Sequence, residues 1–97
     1  MYPIHPGEHL KEILEEVGMS QNAFALSIGV SVMRISHVIK GKRPITAELA
    51  VLFGKAFSQT PQFWMNLQTS YDLNIAQKAL TQRVKQAQPL ADRKSVV

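Results

Sequence analysis

Between Ser31 and Arg43 the chain sets out Ser31, Val32, Met33, Arg34, Ser36 and His37, followed by Lys40, Lys42 and Arg43. These side chains are equipped to recognise, not to react. A guanidinium pairs with the O6 and N7 acceptors of guanine or grips a phosphate, apolar tips pack on a thymine methyl, and hydroxyl or imidazole groups meet base edges or backbone oxygens. Which of the six does which is left open. The cations just beyond them, with Gln21 upstream, suit phosphate oxygens. No nucleophile, general base and orienting group stand together, and no phosphate-cradling glycine loop is present, so no enzyme is expected. His5 and His9 are four residues apart, a spacing that can hold a metal on a helix, but Pro6 makes His5 pre-helical and no third ligand is evident. Neither a metal nor another cofactor is expected. Glu12, Glu15 and Glu16 read as a solvated acidic face, not as an acid-base pair.

A pair of short helices must position the recognising groups. Counting from Gln21, Ala25 falls where two steeply crossing helices need a small residue. Gly29 falls where the first helix must leave helical geometry and a positive φ costs glycine little. Val30 plugs the turn. Phe24 and Ile28 on the first helix, and Ile35 with Val38 or Ile39 on the second, keep the i, i+3 and i+4 spacings of a buried stripe. Ser20 and Ser31 stand at the expected N-caps. An ordinary helical hairpin with a solvated basic face shares some of these spacings, but here the capping, small, glycine and apolar positions all agree. The pattern is a helix-turn-helix, with Ser31 to Lys40 as the helix for the major groove of DNA.

The remaining elements follow from the same signals. With 97 residues, 45% of them hydrophobic, the chain can bury one small core and not a second. Its formal charge of +4 suits a polyanionic partner, and the charge is unevenly distributed. Glu8, Glu12, Glu15 and Glu16 share the first helix, whereas Arg34, Lys40, Lys42 and Arg43 gather at and beyond the groove-reading helix, so the molecule should be polarised. The absence of cysteine, of a long apolar run and of a signal-type start leads to the expectation of a soluble cytoplasmic protein without membrane association. Pro6 opens a first helix, Gly7 to about Val17, which Gly18 ends. Gly41 to Ile45 forms a basic loop, Thr46 caps a fourth helix to about Phe57, and Thr60 with Pro61 starts a fifth. That fifth helix carries Phe63, Trp64, Leu67, Tyr71 and Ile75, a stripe too long and too aromatic for so small a core. Trp64, Leu67, Tyr71 and Ile75 are therefore candidates for a homodimer interface, simple core packing being the alternative for Phe63 and Trp64. From about Gln82 the apolar pattern fades, so residues 81–97 are expected as a frayed, polar and basic extension of a domain spanning residues 1–80. The fold class is all-α, with five helices and an extended last one.

Taken in order, His5-Pro6-Gly7-Glu8, Ser20-Gln21, Gly29-Val30, Gly41-Lys42-Arg43, Ile45-Thr46-Ala47, Phe63-Trp64, Leu67-Gln68 and Tyr71-Asp72-Leu73 make the chain resemble HigA-type antitoxins. These are a branch of the lambda-repressor-like (XRE/Cro-C1) helix-turn-helix proteins. The resemblance covers roughly residues 5–75, and its specificity lies in the order and spacing of the pieces. It implies a five-helix domain that dimerises on an inverted repeat in its own promoter, and a partner, a small RelE-like mRNA-cleaving toxin neutralised by complex formation. Against related sequences, Leu52 stands where arginine is frequent, Gly54 where a small helix former is usual, and Ser58 where glycine is common. Gly54 should cost the fourth helix about 1 kcal/mol relative to alanine.

Two other readings stand beside the antitoxin. One is a stand-alone dimeric transcriptional repressor of the same fold without a toxin partner. The other is a protein-interaction module that no longer reads DNA, against which Arg34 and the basic loop argue. The acidic residues Glu12, Glu15 and Glu16 are the candidate surface for a basic toxin, since complementary charge speeds association and selects partners.

Overall fold

A computed structural model describes residues 4–90. Its helices are α1 (Pro6–Val17), α2 (Gln21–Ile28), α3 (Val32–Ile39), α4 (Ala47–Phe57), α5 (Pro61–Ala79) and α6 (Thr81–Gln86), with no strand among the described residues. Side-chain caps start the first five. His5 Nδ1 accepts from the Gly7 amide, and the hydroxyls of Ser20, Ser31, Thr46 and Thr60 accept from Ala23, Arg34, Leu49 and Phe63. Each satisfies an amide that the helix itself leaves unpaired. Gly18 and Gly29 end α1 and α2 in the left-handed region, at φ of 70° and 74°.

The all-α expectation holds, but the helix count does not. Residues 81–86, expected as the start of a frayed extension, form α6 after a break at Leu80. The Thr81 hydroxyl donates back to the carbonyls of Gln77 and Lys78 at this break. Helical hydrogen bonding continues through a polar segment that buries nothing, because helix propensity does not require an apolar stripe. The end of the apolar periodicity marks the end of the core, not of the helix. Residues 91–97 of the expected extension lie outside the described residues.

One core joins α1 to α5. Leu10, Leu14, Phe24, Ala25, Ile35, Val38, Ile45, Leu49, Ala50, Phe53 and Trp64 are buried together. Phe24 stacks on Phe57 with centroids 5.1 Å apart, and Phe53 meets the Trp64 ring edge-on at 5.1 Å. Trp64 is 0% exposed, and its indole N–H donates to Gln59 Oε1 at 2.8 Å. Its candidacy for a dimer interface is therefore corrected: Trp64 is a core residue, with no surface left to offer a partner.

Two glycines make close approaches that the sequence spacing does not reveal. A Cβ on Gly7 would collide with the Val38 carbonyl, so the first turn of α1 rests directly on the end of α3. On Gly54 it would lie 2.6 Å from the Gln59 carbonyl oxygen and 3.2 Å from Pro61 N. Alanine's helix preference is thus outweighed at Gly54, since the α4–α5 turn folds back against this position. Ser58, by contrast, occupies the left-handed C-cap of α4 at φ 55°, where a β-carbon is unfavourable. Gly54→Ala should destabilise the fold by about 1–3 kcal/mol despite alanine's propensity. Ser58→Gly should stabilise it by about 1 kcal/mol. Urea midpoints of the two variants check both signs, and a stabilising Gly54→Ala would show that the turn has room for a β-carbon.

Candidate nucleic-acid interface

The face of α3 is set by its buried residues. Ile35 and Val38 are 0% exposed, which turns Val32 and Met33 outward at 43% and 65% exposure, with Lys40 exposed at the C-cap. Ser31 stands at the exposed N-cap, while Ser36 and His37 are half-buried. Arg34 leans sideways onto the start of α4. One of its terminal nitrogens lies 3.0 Å from Glu48 Oε1, and the other donates to Thr46 Oγ1 at 3.2 Å. Spacing within α3 does not reveal this pairing. The available signal was an acidic residue two positions after the cap of the following helix.

The basic loop is anchored at both ends. Gly41 turns at φ 76°, and the His37 carbonyl accepts from the amides of Lys42 and Arg43 at 2.8 and 3.3 Å. At the far end the Ile45 amide donates to the buried Gln68 Oε1, whose Nε2 donates to Asp72 Oδ1 at 2.9 Å. His5 lies beneath the loop, close to Gly41, with the Tyr71 ring edge-on at 4.8 Å. Burial lowers the His5 pKa, opposed by Asp72, Glu8 and a backbone hydrogen bond at Arg43. Lys42 and Arg43 thus extend from a held backbone. Sequence reasoning missed Gln68 and Asp72 as supports, although a glutamine within an otherwise apolar helical stripe was a signal.

The other candidates are more dispersed. Gln21, half-buried at the start of α2, borders a hollow shared with Lys11 and Ile39. Glu12, Glu15 and Glu16 are exposed on α1 and line a shallow hollow with His9 and Ile13. Leu67 is half-buried against the core, Tyr71 is half-buried, and Ile75 is 43% exposed. Leu73, Leu80 and Val84, at 55%, 39% and 61%, extend the apolar exposure toward α6 and were not among the interface candidates read from the sequence. Among the described residues, no group of three or more metal-ligating side chains assembles, and no helix is long and apolar enough to cross a membrane.

A helix-turn-helix family model matches residues 10–64, more than half of the chain. Antitoxin HigA-1 of Vibrio cholerae is 35% identical over 89 residues, covering 91% of this chain and 84% of the relative. An addiction module antidote protein of the HigA family from Coxiella burnetii superposes with a TM-score of 0.89 at 38% identity, covering 92% of this chain and 99% of that one. The chain belongs to the HigA-type helix-turn-helix family. Pseudomonas aeruginosa antitoxin HigA, solved with the higBA promoter, superposes with a TM-score of 0.88 at 37% identity, over 92% of this chain and 99% of that one.

The HigA-type motifs acquire physical meanings in this structure. His5-Pro6-Gly7 caps α1 and seats it on α3, Gly41 turns the basic loop, and Gln68, Tyr71 and Asp72 support it from α5. His5 therefore links acid stability to the HigA-type loop. Its folded-state pKa lies below the ordinary value of 6.5, so the unfolded chain binds more protons once the pH falls past that value. This contribution is flat above about pH 7 and lowers stability as the pH falls from there through 6.5. His5→Asn, which retains a capping oxygen, should flatten the acid limb of a urea-midpoint profile measured across that range. An unchanged limb would remove His5 as its source.

Proposed function

We propose that this chain is the antitoxin of a type II toxin–antitoxin module. It binds operator DNA as a homodimer, represses its own operon and neutralises a small RelE-like mRNA-cleaving toxin. The observation that carries the reading is the outward presentation of Val32 and Met33 on α3 beside a braced basic loop, in a fold shared with an antitoxin solved on its promoter. Ser31, Val32, Met33, Arg34, Ser36 and His37 are the base-reading set, and Gln21, Lys40, Lys42 and Arg43 hold phosphates. One such helix reads only a few base pairs. Two copies related by a two-fold axis read half-sites about one helical turn apart. Leu67, Tyr71 and Ile75 remain the dimer candidates, now without Trp64, and Glu12, Glu15 and Glu16 are assigned to the toxin.

The base and phosphate roles predict different effects. Lys42→Ala with Arg43→Ala should weaken binding to selected and scrambled duplexes alike, lowering the salt slope by about one for each phosphate no longer neutralised. Arg34→Ala should relax discrimination at particular base pairs by about 1–3 kcal/mol each. Titrations in which both changes weaken both duplexes equally would reject the division.

Co-expression with the product of the adjacent small gene tests the antitoxin role. The neighbour alone should arrest growth, while the pair should grow and co-elute. Charge reversal at Glu12, Glu15 and Glu16 should weaken that complex. A harmless neighbour that does not co-elute would replace the antitoxin with the stand-alone repressor, and an unchanged affinity after charge reversal would remove the acidic face from the toxin site.

A further inference from the structure

Glu48 stands outside the proposed base-reading set, yet its carboxylate is 3.0 Å from Arg34, a member of that set. Thr46 Oγ1 accepts from the other terminal nitrogen of the same guanidinium while capping Leu49. Two acceptors on one helix start therefore hold two different nitrogens and restrict the plane of the group. A guanidinium has five N–H donors, so this arrangement leaves Nε and the second hydrogen on each terminal nitrogen available. The pair is open to solvent, with the Glu48 side chain 68% and the Arg34 side chain 36% exposed. It can therefore exchange partners without unfolding either helix.

We propose that Glu48 is a specificity-determining positioning residue, a latch that holds Arg34 against α4 unless a base offers a better pair of acceptors. This role rests on the operator binding proposed above. At a matching site, the O6 and N7 atoms of guanine provide a bidentate acceptor whose geometry suits arginine. Elsewhere Arg34 remains with Glu48, and the carboxylate offsets its attraction for phosphates. The latch thus lowers matched affinity by the full cost of release, and lowers unspecific affinity by no more than the phosphate grip that Arg34 would otherwise supply. Release occurs only where geometry compensates for giving up the carboxylate.

The test uses the full chain and a duplex enriched by it from a random pool, compared with a scrambled duplex of the same length. Glu48→Ala should tighten binding to the enriched duplex by about three- to tenfold while changing the scrambled one less, so that their affinity ratio rises. Glu48→Asp, which retains the carboxylate, should return the ratio part of the way to its original value. With Arg34→Ala already present, Glu48→Ala should leave the ratio unchanged, an outcome that a general charge or folding effect would not produce. Equal tightening on both duplexes, a fall in the ratio, or a rise that persists without Arg34 overturns the latch alone. Failure to enrich any duplex overturns operator binding and the latch with it.

Discussion

The buried amide of Gln68 is the constraint on which the recognition surface depends. Its oxygen takes the Ile45 N–H just before α4 begins, and its nitrogen is held by Asp72 one turn further along α5. A backbone amide buried without a partner costs about 1–3 kcal/mol. The loop end is therefore favoured where Gln68 can reach it. With the other end held by the His37 carbonyl, the loop bearing Lys42 and Arg43 inherits its position from two helices distant in sequence. Exposed side chains thus sit on a constrained backbone.

Much of the fold was readable because local rules and core packing agree. Caps at Ser20, Ser31, Thr46 and Thr60, the glycine stops, and the stripe of Ile35 and Val38 all act over three or four residues, the range over which helical sequence patterns operate. Gly54 was less readable for the opposite reason. Its role depends on the carbonyl of Gln59, brought close by a turn whose path no periodicity specifies. The same limit applies to α6, where helix persists after the apolar pattern has ended.

The candidate site was legible as a set of residues but less so as an arrangement. The exposure of Val32 and Met33 follows from the burial of Ile35 and Val38 on one short helix. The sideways pairing of Arg34 with Glu48 does not, because it joins two helices across the basic loop. His5 shows the difference between naming a group and placing it. Its spacing from His9 suits a metal, with Pro6 and the lack of a third ligand against one; in the structure it caps a helix, underlies Gly41 and packs against Tyr71.

The single tryptophan gives the molecule a built-in optical reporter. Trp64 lies in the core beside Phe53, hydrogen-bonded to Gln59, and belongs neither to α3 nor to the basic loop. Its emission therefore reads the integrity of the joint between α4 and α5. A change in that signal on unfolding registers water reaching an indole that the native packing keeps dry.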